Sequence, residues 1–271
     1  MENNKTNKKY FIINSQPVED DQETVDKALY DLAKERQQAH LTDVEKNGQP
    51  TVEEAYDKVV LYLSQKHKYE TKEEEFEEKK ELAKALRVIY CSEFNIKTEQ
   101  VPFLFTSKEE NNILIHGNQA TALPLKDNKN NDSEIMSLIA IDKDFFINSD
   151  PVSMMKVISH EFGHIRQDLI GENQQTFVKG RTGIMHMLDW NASPAEKDAD
   201  AFAFNKLLEF IERAEKGKTT GALKENKNLV KFKKMKSEVT HWLASLFYPS
   251  QKQTQNNQQK TQKQEGIERD L

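Results

Sequence analysis

Cysteine is almost missing: Cys91 stands alone in 271 residues, so no internal disulfide framework is possible and nothing points to an oxidising compartment. It reads as a small buried hydrophobe near the end of a helix. An excess of positive charge is missing too. Lys and Arg total 39 against 45 Asp and Glu, a net charge of −6, which excludes a global attraction to nucleic acid or anionic membranes. Long apolar runs are absent: no stretch approaches the ~20 residues that span a bilayer, and Tyr10 to Ile13 is too short for a signal-peptide core. No internal repeat occurs. These absences lead us to expect a soluble, cytoplasmic protein, with export by a route that leaves no N-terminal mark still open.

What is present is a polar chain, 36% hydrophobic and 31% charged, able to build a core from part of its length. Residues 1–22 are polar and Asn/Lys-rich and read as a disordered tail. A helical region, 23–94, follows. Val25, Leu29, Leu32 and Ala33 have helical spacing, and Asn47-Gly48-Gln49-Pro50 breaks it. Thr51 with Glu54 opens the next helix as a capping box. A third helix from about Thr71 carries Glu73, Glu74 and Glu75 in its first turn, where the helix dipole favours them. Phe76, Leu82, Leu86 and Ile89 form its apolar stripe.

From Val101 to Ile147 the period changes. Val101 to Phe105, Asn112 to His116 and Met136 to Ile141 read as short strands, and Lys126 to Asp132 as a surface loop. Asp150-Pro151 then starts a helix that stops at Gly171. Further helices are predicted over 193–215 and 226–248, and 249–271, rich in Gln, Lys and Asn, reads as a disordered tail. The last helix is basic and amphipathic. Lys231, Lys233, Lys234 and Lys236 read as its solvated side, and Trp242 as a core anchor on the stripe with Leu229, Phe232, Met235, Val239 and Leu246.

The chemistry concentrates in His160-Glu161-Phe162-Gly163-His164. On a helix, residues four apart share a face, so both imidazoles can grip one zinc ion. Glu161 is turned by about 100° and can take the proton from water held in the open zinc position. Met154, Ile158, Phe162, Ile165 and Leu169 make the opposite side apolar. Seven histidines would yield such a pair with Glu after the first only about 0.02 times by chance.

A catalytic site needs a third ligand. Glu196 shares a helix face with Ala199, Ala203 and Leu207 and so points inward, while Asp200 on the same face could accept the other ring N–H of a histidine. Glu196 could instead only cap the helix with Ser193, leaving Asp198, Asp200 or His186 as ligand. His186, between the ligand helices, is also the first candidate for an oxyanion donor or else a packed, hydrogen-bonded residue, while Arg166 and Gln167 either touch substrate or simply lie on the helix surface. His116 and His241 have weaker claims.

His160-Glu161-x-x-His164 followed by Glu196-x-x-x-Asp200 resembles the gluzincin pattern of thermolysin-like zinc peptidases. More narrowly, His-Glu-Phe-Gly-His with Glu196-Lys-Asp-Ala199-Asp200-Ala-Phe202-Ala203 is similar to the ImmA/IrrE-type peptidases, although Asp200 stands where those carry Asn. The resemblance covers about residues 135–210 and implies an α+β zincin-like domain, here 95–248, with a small sheet packed on the motif helix. It further implies Zn2+ held by His160, His164 and Glu196, and hydrolysis of a protein or peptide substrate bound along an exposed sheet edge, 112–116 or 136–141. The competing reading is a non-catalytic, zinc-containing regulatory or interaction protein that contacts nucleic acid through the basic last helix. Oligomeric state is not legible.

Overall fold

The computed structural model describes residues 10–64, 69–112, 114, 118–125, 135–171, 194–216 and 229–247. The protein is a mixed α+β structure in which helix predominates and the sheets are small. A hairpin, β1 (Tyr10–Ile13) and β2 (Gln16–Glu19), leads into α1 (Gln22–Asn47), α2 (Val52–Ser64) and α3 (Lys72–Glu93). Strands β3 (Phe103–Thr106), β4 (Ala120–Pro124) and β5 (Ser137–Asp142) come next. Among the described residues four helices follow: α4 (Lys143–Asn148), α5 (Pro151–Leu169), α6 (Pro194–Glu215) and α7 (Leu229–Phe247). Among the described residues, no helix is long and apolar enough to cross a membrane.

The helix boundaries follow the caps written in the sequence. Thr51 and Glu54 bond reciprocally at the start of α2, and the Thr71 side chain accepts the Glu74 N–H. Asp150 accepts from Val152 and Ser153, with Pro151 at the first helical position. After α5 the chain turns at Gly171, whose φ of 79° is a left-handed conformation suited to glycine.

The three-stranded sheet has order β3-β5-β4, with β3 parallel and β4 antiparallel to central β5. Alternation along the strands gives the sheet two buried faces. Phe103, Phe105, Ala120, Ala122, Ile139 and Ile141 turn toward a large core shared with α2, α3, α5 and α6. Leu104, Leu123, Leu138 and Ala140 turn the other way, against Val25, Leu29, Leu32 and Ala33 of α1 and Ile13 of the hairpin. The result is a layered molecule with the sheet between α1 and the other helices.

Several expectations are corrected. The segment read as a disordered tail contains the β1–β2 hairpin. Asn14 and Ser15 both have positive φ, the twisted two-residue turn that hairpins favour, and Ile13 is buried. The hairpin is held in place by Asn111 and Asn112, whose side chains accept the Asn14 and Ile12 N–H groups. No strand runs through the described part of 112–116. Asn112 and Leu114 lie in turns, and the strand is at Ala120–Pro124, which two alanines and a proline conceal. Segment 136–141 is not an edge, since β5 is central.

The boundary near residue 94 does not separate two cores, because α2 and α3 share theirs with α5 and α6. Tyr90, fully buried, packs against Phe162 with the rings tilted by 37° and their centroids 4.7 Å apart, and bonds to Ser159. Leu169 ends its helix 40% exposed rather than completing the apolar stripe. Trp242 is a half-exposed lid on Phe204, not a core anchor, while Met235 and Val239 are buried as expected. The side chains of Leu229, Phe232, Lys231, Lys233 and Leu246 lie outside those described. Lys236 is paired with Glu212 at 2.8 Å, so part of the basic face is already neutralised.

Candidate metal centre

Two helices build the site. α5 lies under the sheet through Met154, Met155, Ile158 and Phe162, each no more than 1% exposed, which leaves His160 and His164 on the face toward α6. The helices meet at Gly163 and Ala199. A β-carbon added to Gly163 would stand 2.9 Å from the Ala199 Cα, so only glycine permits this approach. Ala203 and Leu207 continue the buried face of α6 and turn Glu196 inward.

The donor atoms of His160, His164 and Glu196 converge. His160 Nε2 is 3.1 Å from His164 Nε2 and 3.1 Å from a Glu196 oxygen, and His164 Nε2 is 3.3 Å from the other Glu196 oxygen. A tetrahedron with bonds of about 2.0–2.1 Å has edges of about 3.3–3.4 Å, close to each of these separations, although the two imidazoles meet different Glu196 oxygens. Two imidazole nitrogens directed at each other and at a carboxylate make a site that a cation suits. The fit to a metal rests on this donor set.

The outer nitrogens fix the ring orientations. His160 Nδ1 is 3.0 Å from Asp200, and His164 Nδ1 is 3.0 Å from the Gln167 side-chain oxygen. Gln167 is itself oriented, donating to the Ala195 carbonyl and to Asp198. Each Nδ1–H therefore has an oxygen acceptor, which leaves both Nε2 lone pairs able to hold a shared metal. Lys156 bonds the same Asp200 oxygen at 3.1 Å.

Burial disfavours the charged His160 ring, but hydrogen bonds to Asp200 and Glu196 outweigh it and raise the pKa to about 10. His164 is raised as well, burial again being outweighed, here by Glu196 and Glu161. Burial would raise Glu196, yet its bonds to the two imidazoles hold it near 2. Asp200, despite burial, is held below the usual carboxylate range by His160 and Lys156. Glu161 moves the other way: burial raises it, only partly offset by the two histidines. It is 6% exposed, and the Ala122 backbone N–H of β4 donates to its Oε2 at 2.6 Å.

These shifts set the pH dependence of metal binding. Metal-free His160 is protonated below about pH 10 and must lose that proton to bind, while Glu196 is ionised throughout. Affinity should therefore rise with pH, by about one to two protons released per metal between pH 6 and 9. Competition with a chromophoric chelator at several pH values measures this. A flat profile would contradict the assigned ligands.

The structure thus brings together His160, Glu161, His164, Glu196 and Asp200. It engages Asp198 with Arg166 instead, at 2.5 Å, so neither faces the metal position. Asp200 meets the outer nitrogen of His160, not Nε2 as a ligand would. His241 is on the exposed side of α7. His186, Ser193 and His116 lie outside the described residues. Sequence reasoning missed the role of Gln167, buried at 1% exposure, and the contact of Glu161 with the Ala122 backbone. Gln167 stands three residues after His164, a spacing that could have shown it. Comparisons with protein-family models, curated proteins and solved structures find no match.

Proposed function

We propose that this protein is a zinc-dependent metallopeptidase of zincin-like architecture, gluzincin in its ligand pattern and most similar to the ImmA/IrrE-type peptidases. The observation that carries the reading is the His160-His164-Glu196 triangle with Glu161 beside it. A site meant only to hold a metal has no use for a buried carboxyl group next to its ligands. Zinc bound there would supply Lewis acidity toward a carbonyl and acidify water.

The remaining chemistry belongs to the chain's own side chains. Glu161 has Oε2 pinned by Ala122, which leaves Oε1 to take a proton from water and return it to the leaving amine. Burial, by raising its pKa, makes Glu161 the better base for this exchange. Asp200 and Gln167 keep the imidazoles oriented while charge develops.

An extended substrate has an edge to join. Asp142 bonds back to Gln119, and Leu125 to Met136, so Gln119 and Leu125 face β5. Ala120, Ala122 and Pro124 then turn their backbone groups away from β5, at the height of Glu161; with the Ala122 N–H held by Glu161, the Ala120 N–H and the three carbonyls have no ladder partner among the described residues. Adding a peptide strand there supplies affinity through main-chain hydrogen bonds. A cavity of about 490 Å³ at the Gln119 end, walled by Phe145, Val157, Phe204 and Trp242 with Lys156 and Asp200, gives room for a substrate side chain.

A mixed peptide library incubated with the zinc-loaded protein tests the reading by mass spectrometry. New termini should appear, and a chelator should abolish them. No cleavage by protein shown to carry zinc would favour the non-catalytic alternative.

A further inference from the structure

A second cavity, of about 720 Å³, lies between the end of α1, the start of α2 and the middle of α3, and shares no residue with the metal centre. Arg87 of α3 lines it, and its side chain is only 4% exposed. A buried guanidinium ordinarily has a carboxylate opposite it, because an unpaired charge is costly to desolvate. Arg87 forms no ion pair with any described residue. Its Nη2 donates to Nδ1 of His40 at 2.8 Å, and its Nε–H, also buried, has no hydrogen-bond partner among the described residues.

His40 cannot balance that charge. Burial, then the charge of Arg87, lowers its pKa to about 4, so the ring is neutral and accepts at Nδ1 while Nε2 donates to Thr98. The Phe103 ring, 5.0 Å from the guanidinium carbon, offers a cation–π contact but no counter-ion. The acidic groups of the cavity wall are already occupied. Asp43 and Glu81 each pair with Lys84 at 2.7 Å, Glu81 also pairs with Lys58 at 2.8 Å, and Glu54 is taken up in the cap of α2. Among the described residues, Arg87 is thus the one cation of this wall without an anion.

We propose that this cavity binds a small molecule through a carboxylate or phosphate group seated on the Arg87 guanidinium. Guanidinium accommodates both groups through paired N–H donors, while Lys58 and Lys84 on the same wall are already matched by Glu81 and Asp43. The site is independent of the metal centre and of the peptidase reading.

The test titrates inorganic phosphate and, separately, citrate into the full-length protein. The Arg87 Nε–H resonance is followed by NMR, and binding is followed by calorimetry. A saturable shift with either anion supports the site and names the group it prefers. Arg87→Gln should weaken binding about tenfold or more. Where that variant does not fold, the wild-type resonance carries the test alone. A resonance that stays fixed to about 10 mM of both anions, enough to occupy most of any site with a dissociation constant of 1 mM or tighter, overturns the proposal. Undiminished binding in folded Arg87→Gln overturns it as well.

Discussion

A chain lacking residues 1–92 is expected to be unfolded, with neither cooperative melting nor metal binding. The N-terminal helices are part of the core. Val59, Leu63, Leu82, Leu86, Ile89 and Tyr90 are each no more than 1% exposed, and they pack with the helices that hold the metal site. Each large side chain of this kind contributes about 1.5–3 kcal/mol when buried. Removing a handful of them equals the ~5–15 kcal/mol by which a domain is stable at all. The truncation also strips α1 from the far face of the sheet and leaves Leu104, Leu123 and Leu138 uncovered. Circular dichroism and thermal unfolding of the 93–271 fragment measure the effect. A cooperative transition near that of the full chain would show that the two cores are separable.

Glu161→Gln is the second large effect. It should lower peptide cleavage about 10²–10⁴-fold, the usual worth of a positioned general base, while leaving the metal in place. The amide keeps the shape of the side chain, and its oxygen can still accept the Ala122 N–H, so the fold should be preserved. Because Glu161 is not one of the three converging ligands, zinc affinity should change little. Kinetics on any cleaved peptide, paired with metal analysis, separate the two roles. Loss of metal together with activity would make Glu161 a ligand or a structural residue instead of the base.

The parts of this molecule that were legible in the sequence are those with local physical causes. Caps at Thr51, Thr71 and Asp150, and the four-residue spacing of His160 and His164, depend on neighbours along one helix. The inward direction of Glu196 was readable because Ala199, Ala203 and Leu207 mark its face. What escaped was set by distant partners. β4 has a weak strand pattern, Ala-Thr-Ala-Leu-Pro, and exists because β5 offers it a ladder and α5 packs beneath it. The union of the N-terminal helices with the core that carries the candidate site rests on contacts such as Tyr90 with Ser159, 69 residues apart. The buried charge of Arg87 is invisible until α1 brings His40 beside it.

The most direct test of the metal centre is elemental analysis of purified wild-type and Glu196→Ala protein after zinc supplementation and desalting. We predict about one zinc per chain in the wild type and little in the variant, which keeps two imidazoles but loses the carboxylate that joins them. Folded wild-type protein without zinc, or Glu196→Ala retaining a full equivalent, would contradict the account.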